Sequence, residues 1–219
     1  ILYNYSLIRE SGLKVVGEQH LRIRQHLMAL PGQTIGQIQE VWSHPVAISQ
    51  CMAFLNNYPR ITLIENTDTA GSARKIRERN ADGVAAIGAS TAASLYELEI
   101  LASGIETYHL NYTRFLVLSR DKTENGPVDK ASVCFALDHK PGSLAKLLVK
   151  LAEEGINLSK IQSVPKENGG GEYLFYLDIE FPETNQFKQL LHLLEINSRG
   201  LEVLGIYKKG NTLYDSSNS

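Results

Sequence analysis

The sequence divides at residues 111–120, which read NYTRFLVLSR. The apolar run 116–118 is typical of a strand that is buried on both faces. Directly before it stand a hydroxyl, a guanidinium and an aromatic ring, on Thr113, Arg114 and Phe115. We therefore expect this stretch to close a first domain and to carry chemistry where the strand begins.

Length and composition predict two domains. The chain has 219 residues, of which 43% are hydrophobic and 21% charged, and this is typical of a globular protein with room for two cores. The boundaries that we expect are a first domain over 1–123, a linker over 124–130, a second domain over 131–208 and a polar, disordered tail over 209–219.

Charge and cysteine usage exclude several classes of partner. The net charge of −2 gives no electrostatic reason to expect nucleic acid, and no apolar run approaches the roughly 20 residues of a membrane span. Cys51 and Cys134 stand in apolar surroundings, which predicts buried free thiols in a reducing compartment such as the cytoplasm. Because the chain opens on Ile1 in mid-pattern, we expect its true N-terminus to lie upstream.

The first half repeats one pattern three times. After a helix that ends at Ser11 and one long strand over 13–30, a strand, a small hydroxylated turn and a helix follow each other. The turns are Ser43-His44-Pro45, Thr67-Asp68-Thr69-Ala70 and Gly88-Ala89-Ser90-Thr91. The helices are expected to reach about residues 57, 80 and 102. Strand and helix in alternation predict an α/β sheet.

The turns have two interpretations. Ser, Thr and Asp are ordinary helix N-caps, but helix N-termini gathered at one sheet edge also favour an anion such as a carboxylate. Ser43 and Gln50 lie seven residues apart, close to two helical turns, so Gln50 is expected to point back toward Ser43. The alternatives are that Gln50 is a solvated helix residue and that His44 is a capping residue.

The second half predicts a ferredoxin-like order, βαββαβ. The expected elements are strands over 131–137, 156–164, 172–181 and 201–207, with helices over 143–154 and 185–198. Two helices cover one face of such a sheet and the other face needs a partner, so we expect a second copy to pair with the sheet at its edge or on its face. The protein is therefore predicted to form a dimer or tetramer.

Five motifs in order resemble the prephenate dehydratase family over nearly the whole chain up to Tyr207. They are Thr113-Arg114-Phe115; Ser43-His44-Pro45 with Gln50-Cys51; Asp68-Thr69-Ala70-Gly71; Ala85–Ser90; and, similar to the family's ACT domain, Pro141-Gly142-Ser143-Leu144 with Asn157–Pro165. The fold that this resemblance implies is α/β, with an incomplete, periplasmic-binding-protein-like catalytic region of two subdomains followed by a ferredoxin-like ACT domain.

The resemblance also implies a reaction and its residues. Prephenate loses carbon dioxide and its ring hydroxyl to give phenylpyruvate, and aromatisation drives the step without a cofactor or a metal. Thr113 would donate to the leaving hydroxyl, while Ser43 and Gln50 orient the substrate. Substrate contacts would come from Arg114, His44, Thr69, Ala70, Ser90 and Phe115. L-phenylalanine, as feedback inhibitor, would bind near Pro141, Gly142, Ser143, Leu144, Asn157, Leu158, Gln162 and Ser163.

Three departures from the family pattern stand out. Val46 replaces the usual Gln, and Gln162 and Val164 replace two charged residues of the regulatory motif. The family's upstream portion is also missing, so this chain by itself is expected to be inactive or strongly impaired.

Three questions stay open at this point. Arg114 either binds a substrate carboxylate or holds two subdomains together. Arogenate dehydratase is the nearest alternative activity, and a non-catalytic carboxylate and amino-acid sensor is the alternative of a different class.

Overall fold

The computed structural model describes residues 4–121, 126–166, 172–184, 186–210 and 212–213. The chain forms two compact units, one that takes in the chain up to His20 together with Arg114–Leu213, and one that comprises Leu21–Thr113. Parts of the predicted linker and tail (122–125, 211 and 214–219), and residues 167–171 between two predicted strands, lie outside the described residues.

The helices and strands have the following bounds. The α-helices are α1 (Asn4–Ser11), α2 (Pro45–Gln50), α3 (Met52–Leu55), α4 (Thr69–Arg79), α5 (Ser90–Leu95), α6 (Ser143–Glu153) and α7 (Gln186–Asn197). The strands are β1 (Lys14–Arg22), β2 (His26–Ala29), β3 (Glu40–Ser43), β4 (Thr62–Glu65), β5 (Val84–Gly88), β6 (Glu99–Ser103), β7 (Tyr112–Ser119), β8 (Lys130–Ala136), β9 (Asn157–Pro165), β10 (Tyr173–Glu180), β11 (Arg199–Tyr207) and β12 (Thr212–Leu213).

The unit that comprises Leu21–Thr113 is built on a five-stranded sheet in the order β4-β3-β5-β2-β6. Strand β3 is parallel to β4 and β5, whereas β2 is antiparallel to β5 and β6. Apolar clusters cover both faces, with Val41 and Ile87 on one side and Ala86 and Ile76 on the other. The predicted α/β sheet is confirmed.

Three predicted elements in this unit have different bounds. The long strand over 13–30 is wrong: it breaks into β1 and β2 because the backbone of Gln25 is bound by the loop at 105–106. The helix predicted to reach residue 57 is interrupted at Cys51, whose φ of −107° and ψ of 10° are not helical. The third helix ends at Leu95, since Glu97 takes a left-handed φ of 50°, and β6 follows.

The ferredoxin-like order is confirmed in the other unit. Its four-stranded sheet has the order β11-β8-β10-β9, and α6 and α7 cover one face. Phe135, Leu147 and Leu194 are fully or almost fully buried between the sheet and these helices. This arrangement is the one that a βαββαβ chain order produces when both crossovers lie on the same face.

The opposite face of this sheet was expected to need a second copy as its partner. The chain itself covers this face instead. Tyr5 of α1 and Leu116 of β7 pack on Tyr176 and Leu204 in a buried cluster. The chain therefore covers this face with its own N-terminal helix and with the small sheet β12-β1-β7.

Two further expectations are wrong. Strand β7 is not buried on both faces, because Phe115 and Val117 are 51% and 47% exposed on one side of the three-stranded sheet. The tail does not start out disordered: the Gly210 N–H donates to Glu18 Oε1 at 3.2 Å, and β12 then lies beside β1. Within the part of the chain that is described, no helix has the length and apolar character of a membrane span.

Arg114 is the centre of a buried polar network in this unit. Its guanidinium donates to the carboxylates of Glu18 and Asp178, which are 2% and 0% exposed. It also donates to the phenolic oxygens of Tyr5 at 3.2 Å and of Tyr207 at 2.8 Å. Burial by itself would lower the pKa of Arg114, but Asp178 more than compensates, so the pKa is raised and the cation is retained.

A second cation completes the charge balance. Lys130 Nζ, almost fully buried, lies 3.0 Å from Glu18 Oε1 and 3.3 Å from Glu180 Oε1. Glu180 also accepts from Lys209 Nζ at 2.7 Å. Burial raises the pKa of Glu180, but the hydrogen bonds from Lys209 and Lys130 outweigh it and lower the pKa to about 2. Each carboxylate of the network thus has a cationic partner, which buried charges require.

One glycine marks the closest approach of two strands. A Cβ on Gly205 of β11 would overlap the carbonyl oxygen of Val15 in β1 and would lie 2.7 Å from the Cβ of Val15. We expect Gly205→Ala to lower the free energy of unfolding by about 1–3 kcal/mol, the usual cost of overpacking, in urea denaturation. Gly17→Ala is the control, because its Cβ would meet Val117 at an ordinary 3.8 Å. Equal stabilities of the two variants would contradict this close approach of Gly205 to Val15.

Removal of the Arg114 cation should be more costly. In Arg114→Met the carboxylate of Asp178 stays buried without its cation, so we expect the free energy of unfolding to fall by about 3–5 kcal/mol. Arg120→Met, at an exposed position just after β7, should change it by less than about 0.5 kcal/mol. A stable Arg114→Met protein that has lost only substrate affinity would instead favour the carboxylate-binding role.

Candidate functional site

The carboxyl ends of the parallel strands β3, β4 and β5 lie at one edge of the five-stranded sheet. Ser43 at the end of β3 pairs with Glu65 at the end of β4. Gly88 at the end of β5 pairs with His26, where β2 begins. This edge is the place where ligands bind in open α/β sheets, and we call it the sheet-edge site.

Ser43 is fixed within the sheet-edge site and does not point freely into it. The residue is fully buried, and its Oγ donates to the carbonyl oxygen of Ile87 at 2.7 Å. The hydroxyl proton is thus used to join β3 to β5. The oxygen of Ser43 retains only acceptor capacity.

The α4 end of the site packs against β5. A Cβ on Gly88 would lie at an ordinary van der Waals distance, 3.6 Å, from Thr69 Cβ, so the end of β5 lies beside the first turn of α4. The Asp68 side chain caps this helix by accepting from Gly71 N, and its negative charge makes the α4 N-terminus less favourable for a second anion. Ala70 is exposed and Thr69 half-buried at this corner.

The other two helix starts differ in how they are capped. His44 Nδ1 accepts from Val46 N at 3.2 Å, so the capping interpretation of His44 is what the geometry shows. In the neutral imidazole the proton then resides on Nε2, which is left as a donor. Ser90, half-buried, begins α5 after Ala89, whose side chain provides no cap.

Gln50 reaches the same edge through Gln25. The Gln50 Oε1 atom accepts from Gln25 Nε2 at 3.2 Å, and Gln25 directly precedes His26. The helical-face argument for Ser43 and Gln50 was wrong in its geometry, because Ser43 belongs to β3 and α2 starts only at Pro45. The structure nevertheless brings Gln50 to a residue of this edge.

Thr113, Arg114 and Phe115 stand at the start of β7 with different surroundings. Arg114 is engaged by Glu18 and Asp178 of its own unit, so these contacts correspond neither to the substrate contact nor to the link between two subdomains that were the two alternatives. Thr113 is half-buried and Phe115 exposed. Successive residues of a strand point to opposite faces, so Thr113 and Phe115 share the face that Arg114 does not occupy.

A second candidate site lies at the start of α6. A cavity of about 580 Å³ is lined by the loop 137–145 together with Tyr173 and Phe175 of β10. All four residues predicted in this loop (Pro141, Gly142, Ser143 and Leu144) line it. Gly142 has a left-handed φ of +82° and precedes the helix without a side-chain cap. We call this cavity the α6 site.

The other four residues predicted for this site are spread along β9. Gln162 pairs with Tyr176, and Ser163 pairs with Phe175, whose ring lines the α6 site. Asn157 and Leu158 pair with Glu180 and Ile179 at the other end of β9. Within one chain, therefore, only Ser163 approaches the α6 site through a neighbour.

The cysteines are free and buried, as predicted. Burial raises the pKa of Cys51 to about 12, with a further contribution from Glu106, and raises that of Cys134 to about 11. Both thiols are therefore protonated and unreactive near neutral pH. Among the described residues, no group of three or more His, Cys, Asp or Glu side chains has the geometry of a metal site.

Several residues of these sites belong to no motif that the sequence analysis identified. Gln25, His26 and Glu106 are 6%, 4% and 3% exposed and come from sequence segments that were read as strand or as loop. The sequence around Gln25 gives no local signal of burial, because its neighbours Arg24 and His26 are polar as well. Their proximity to Gln50 depends on tertiary contacts.

Comparison with known proteins agrees with the fold and the motifs. The family model described as prephenate dehydratase matches residues 1–123. A bifunctional chorismate mutase/prephenate dehydratase of Aquifex aeolicus is 34% identical over 94% of this chain and 57% of its own length. The arogenate dehydratase/prephenate dehydratase 2 of Arabidopsis thaliana, a chloroplastic protein, is 36% identical over 96% of this chain and 58% of its own length.

A solved structure supports the same assignment. The prephenate dehydratase of Arthrobacter aurescens, in complex with L-Phe, superposes with a TM-score of 0.80 and 29% identity over 92% of this chain and 68% of that chain. The chain spans a little more than half of the length of the curated relatives, 57% and 58% for the two named above. With a family model that matches more than half of its residues, the chain belongs to the prephenate dehydratase family.

Proposed function

We propose that the full-length protein that contains this chain converts prephenate to phenylpyruvate. In this step the bond from the ring to the carboxylate breaks, and its electron pair enters the ring as carbon dioxide leaves. The bond from the ring to the hydroxyl breaks as well, and the hydroxyl takes up a proton and leaves as water. The observation that carries this proposal is the family membership together with the sheet-edge site, which gathers Ser43, Thr69, Ser90 and Gln50.

The geometry suggests a distinct role for each group. Thr113 is the proposed hydrogen-bond donor to the leaving hydroxyl, since a threonine of ordinary acidity acts through a preorganised hydrogen bond and not as a strong acid. Gln50 Nε2 and His44 Nε2 are donors of the kind that bind carboxylates. Ser43 keeps β3 and β5 at the spacing that these donors require.

The remaining predicted contacts are given smaller roles. Thr69, Ala70 and Ser90 form the wall of the sheet-edge site at the starts of α4 and α5. Phe115 provides an apolar surface on the same strand face as Thr113. Arg114 is proposed to act in the fold and not on the substrate, because its donors already serve protein acceptors.

Arogenate is the second candidate substrate. The named Arabidopsis relative carries both activities in its name, and the two substrates differ only in a keto or an amino group on the side chain. Side-by-side measurement of kcat/KM for prephenate and arogenate with the full-length protein decides between them. A protein that binds both and turns over neither would support the sensor hypothesis.

We further propose that L-phenylalanine inhibits the enzyme by binding at the α6 site of the ferredoxin-like domain. The loop 139–145, the rings of Tyr173 and Phe175 and the positive N-terminal end of the α6 dipole suit the apolar side chain and the carboxylate of an amino acid. Strand β9 lies at the edge of its sheet, so self-association along β9 is the route by which Gln162 and Ser163 of a second copy would join the site.

Thr113→Ala tests the catalytic role. We expect kcat for prephenate to fall by about 10²- to 10⁴-fold, the usual contribution of proton assistance, while Thr113→Ser retains most of the rate. Thr67→Ala, an exposed neighbour of the α4 cap, should keep the wild-type rate. L-phenylalanine binding, followed by calorimetry, should be unchanged in all three variants. An unchanged kcat in Thr113→Ala would eliminate this role.

Gly142→Ala tests the α6 site. Both Gly142 and Gly155 have left-handed φ angles, +82° and +71°, at opposite ends of α6, and neither Cβ would meet another atom within 4 Å. Alanine at either position should therefore cost a similar amount of stability, about 1 kcal/mol. Only Gly142→Ala is expected to weaken L-phenylalanine binding, by about fivefold or more, in calorimetric titration. Equal effects of both variants on binding would place the effector elsewhere.

A further inference from the structure

The amide of Gln50 is held by a chain of residues that the family resemblance did not single out. Gln25 is almost fully buried just before β2, and it makes three hydrogen bonds with different atoms. Its N–H donates to Glu106 Oε2 at 2.9 Å, its carbonyl accepts from Ile105 N at 2.9 Å, and its Nε2 donates to Gln50 Oε1 at 3.2 Å. Its backbone and its side chain are thus both fixed.

Glu106 is the anchor of this arrangement. Its carboxylate is 3% exposed, and burial of a charge is costly unless it serves bound donors. Oε2 accepts from the Gln25 backbone, whereas Oε1 has no hydrogen-bond partner among the described residues; His109 Nδ1 lies 3.8 Å from it. The hydrogen bond that Glu106 accepts from the Gln25 backbone therefore fixes Gln25 to a buried carboxylate.

The segment that contains Glu106 also holds the backbone of Gln50. Thr107 N donates to the Gln50 carbonyl at 2.8 Å, and Thr107 Oγ1 accepts from Ala53 N at 3.4 Å. These contacts lie where α2 ends and α3 begins. Gln50 is consequently held at its main chain by Thr107 and at its side chain by Gln25.

This double attachment determines which end of the Gln50 amide is available. An NH₂ group can only donate, so Gln25 Nε2 selects the carbonyl oxygen of Gln50. The Gln50 Nε2 group has no protein acceptor within the described part of the chain and remains free to donate to an anion. A half-turn of the amide would present a carbonyl oxygen instead, which repels a carboxylate.

We propose that Gln25, anchored by Glu106, is a positioning residue that directs the Gln50 Nε2 donor toward an anionic substrate. This inference rests on the proposed function of the sheet-edge site. It adds two residues to that site, neither of which touches the substrate. Their effect is on substrate binding through Gln50.

The test is a double-mutant cycle in the full-length protein with prephenate as the probe. Gln25→Met keeps the length of the side chain but removes the donor, so we expect KM to rise about three- to tenfold with kcat within twofold of wild type. In a Gln50→Met background, Gln25→Met should have no further effect on KM, because the Gln50 amide through which Gln25 acts is absent. Gln19→Met, on the exposed side of β1, is the matched control.

Variants at Glu106 provide the second arm. Glu106→Gln retains an oxygen that accepts from the Gln25 N–H, and we expect it to stay within twofold of the wild-type KM. Glu106→Leu should raise KM as Gln25→Met does. Similar KM values for Glu106→Leu and Glu106→Gln, or an equal effect of Gln25→Met with and without Gln50, would overturn the proposal.

Side-chain amide NMR separates this inference from the proposed function. The Gln50 NH₂ signals, identified by their loss in Gln50→Met, should shift in Gln25→Met and stay in place in Gln19→Met. This readout needs no turnover, so it decides the inference even if prephenate is not converted. Gln50 signals that are unchanged in Gln25→Met would show that the two amides do not interact and would refute the positioning role.

Discussion

The charge of Arg114, which is half-buried against two buried carboxylates, is the constraint on which one of the two compact units depends. Its partners come from β1, β10, α1 and β11, far apart in the sequence, and include the buried carboxylates of Glu18 and Asp178. A buried ion pair contributes little net stability, but removal of one partner is costly because the other charge then stays buried without compensation. The network therefore specifies how the small sheet packs on the ferredoxin-like sheet, while the apolar contacts of Tyr5 and Leu116 supply the burial.

The Arg114 network explains why the second face of the ferredoxin-like sheet carries polar residues in the sequence and yet is covered in the structure. Asp178 and Glu180 alternate with apolar residues of β10, a pattern that predicts a solvent-facing side. Asp178 is instead fully buried, because Arg114 and the hydroxyl of Ser132 satisfy its oxygens. Alternation reports only which residues share a face; what covers that face depends on contacts distant in sequence.

The same distinction separates what could be predicted from what could not. Local signals located the three strand–turn–helix repeats, the βαββαβ order and the α6 loop, because caps, glycines and periodicity act within a few residues. The break at Gln25, the interruption at Cys51 and the exposure of Val117 were missed. The break at Gln25 is imposed by Glu106, which is distant in sequence and so leaves no local signal. The motif residues were found in sequence, but their hydrogen bonds, as between Ser43 and Ile87, were not.

The two neighbours Thr113 and Arg114 show how a local pattern and contacts distant in sequence act together. Because side chains alternate along a strand, the capture of Arg114 by Glu18 and Asp178 also sets the face to which Thr113 points. In the proposed site, Arg114 would thereby fix the direction of the Thr113 donor without contact to the substrate, as we propose that Gln25 does for Gln50 by a hydrogen bond. Loss of Arg114 would thus combine a loss of stability with a loss of kcat, and the two effects would share one cause. A substrate carboxylate bound by Arg114 would instead change KM and leave folding intact.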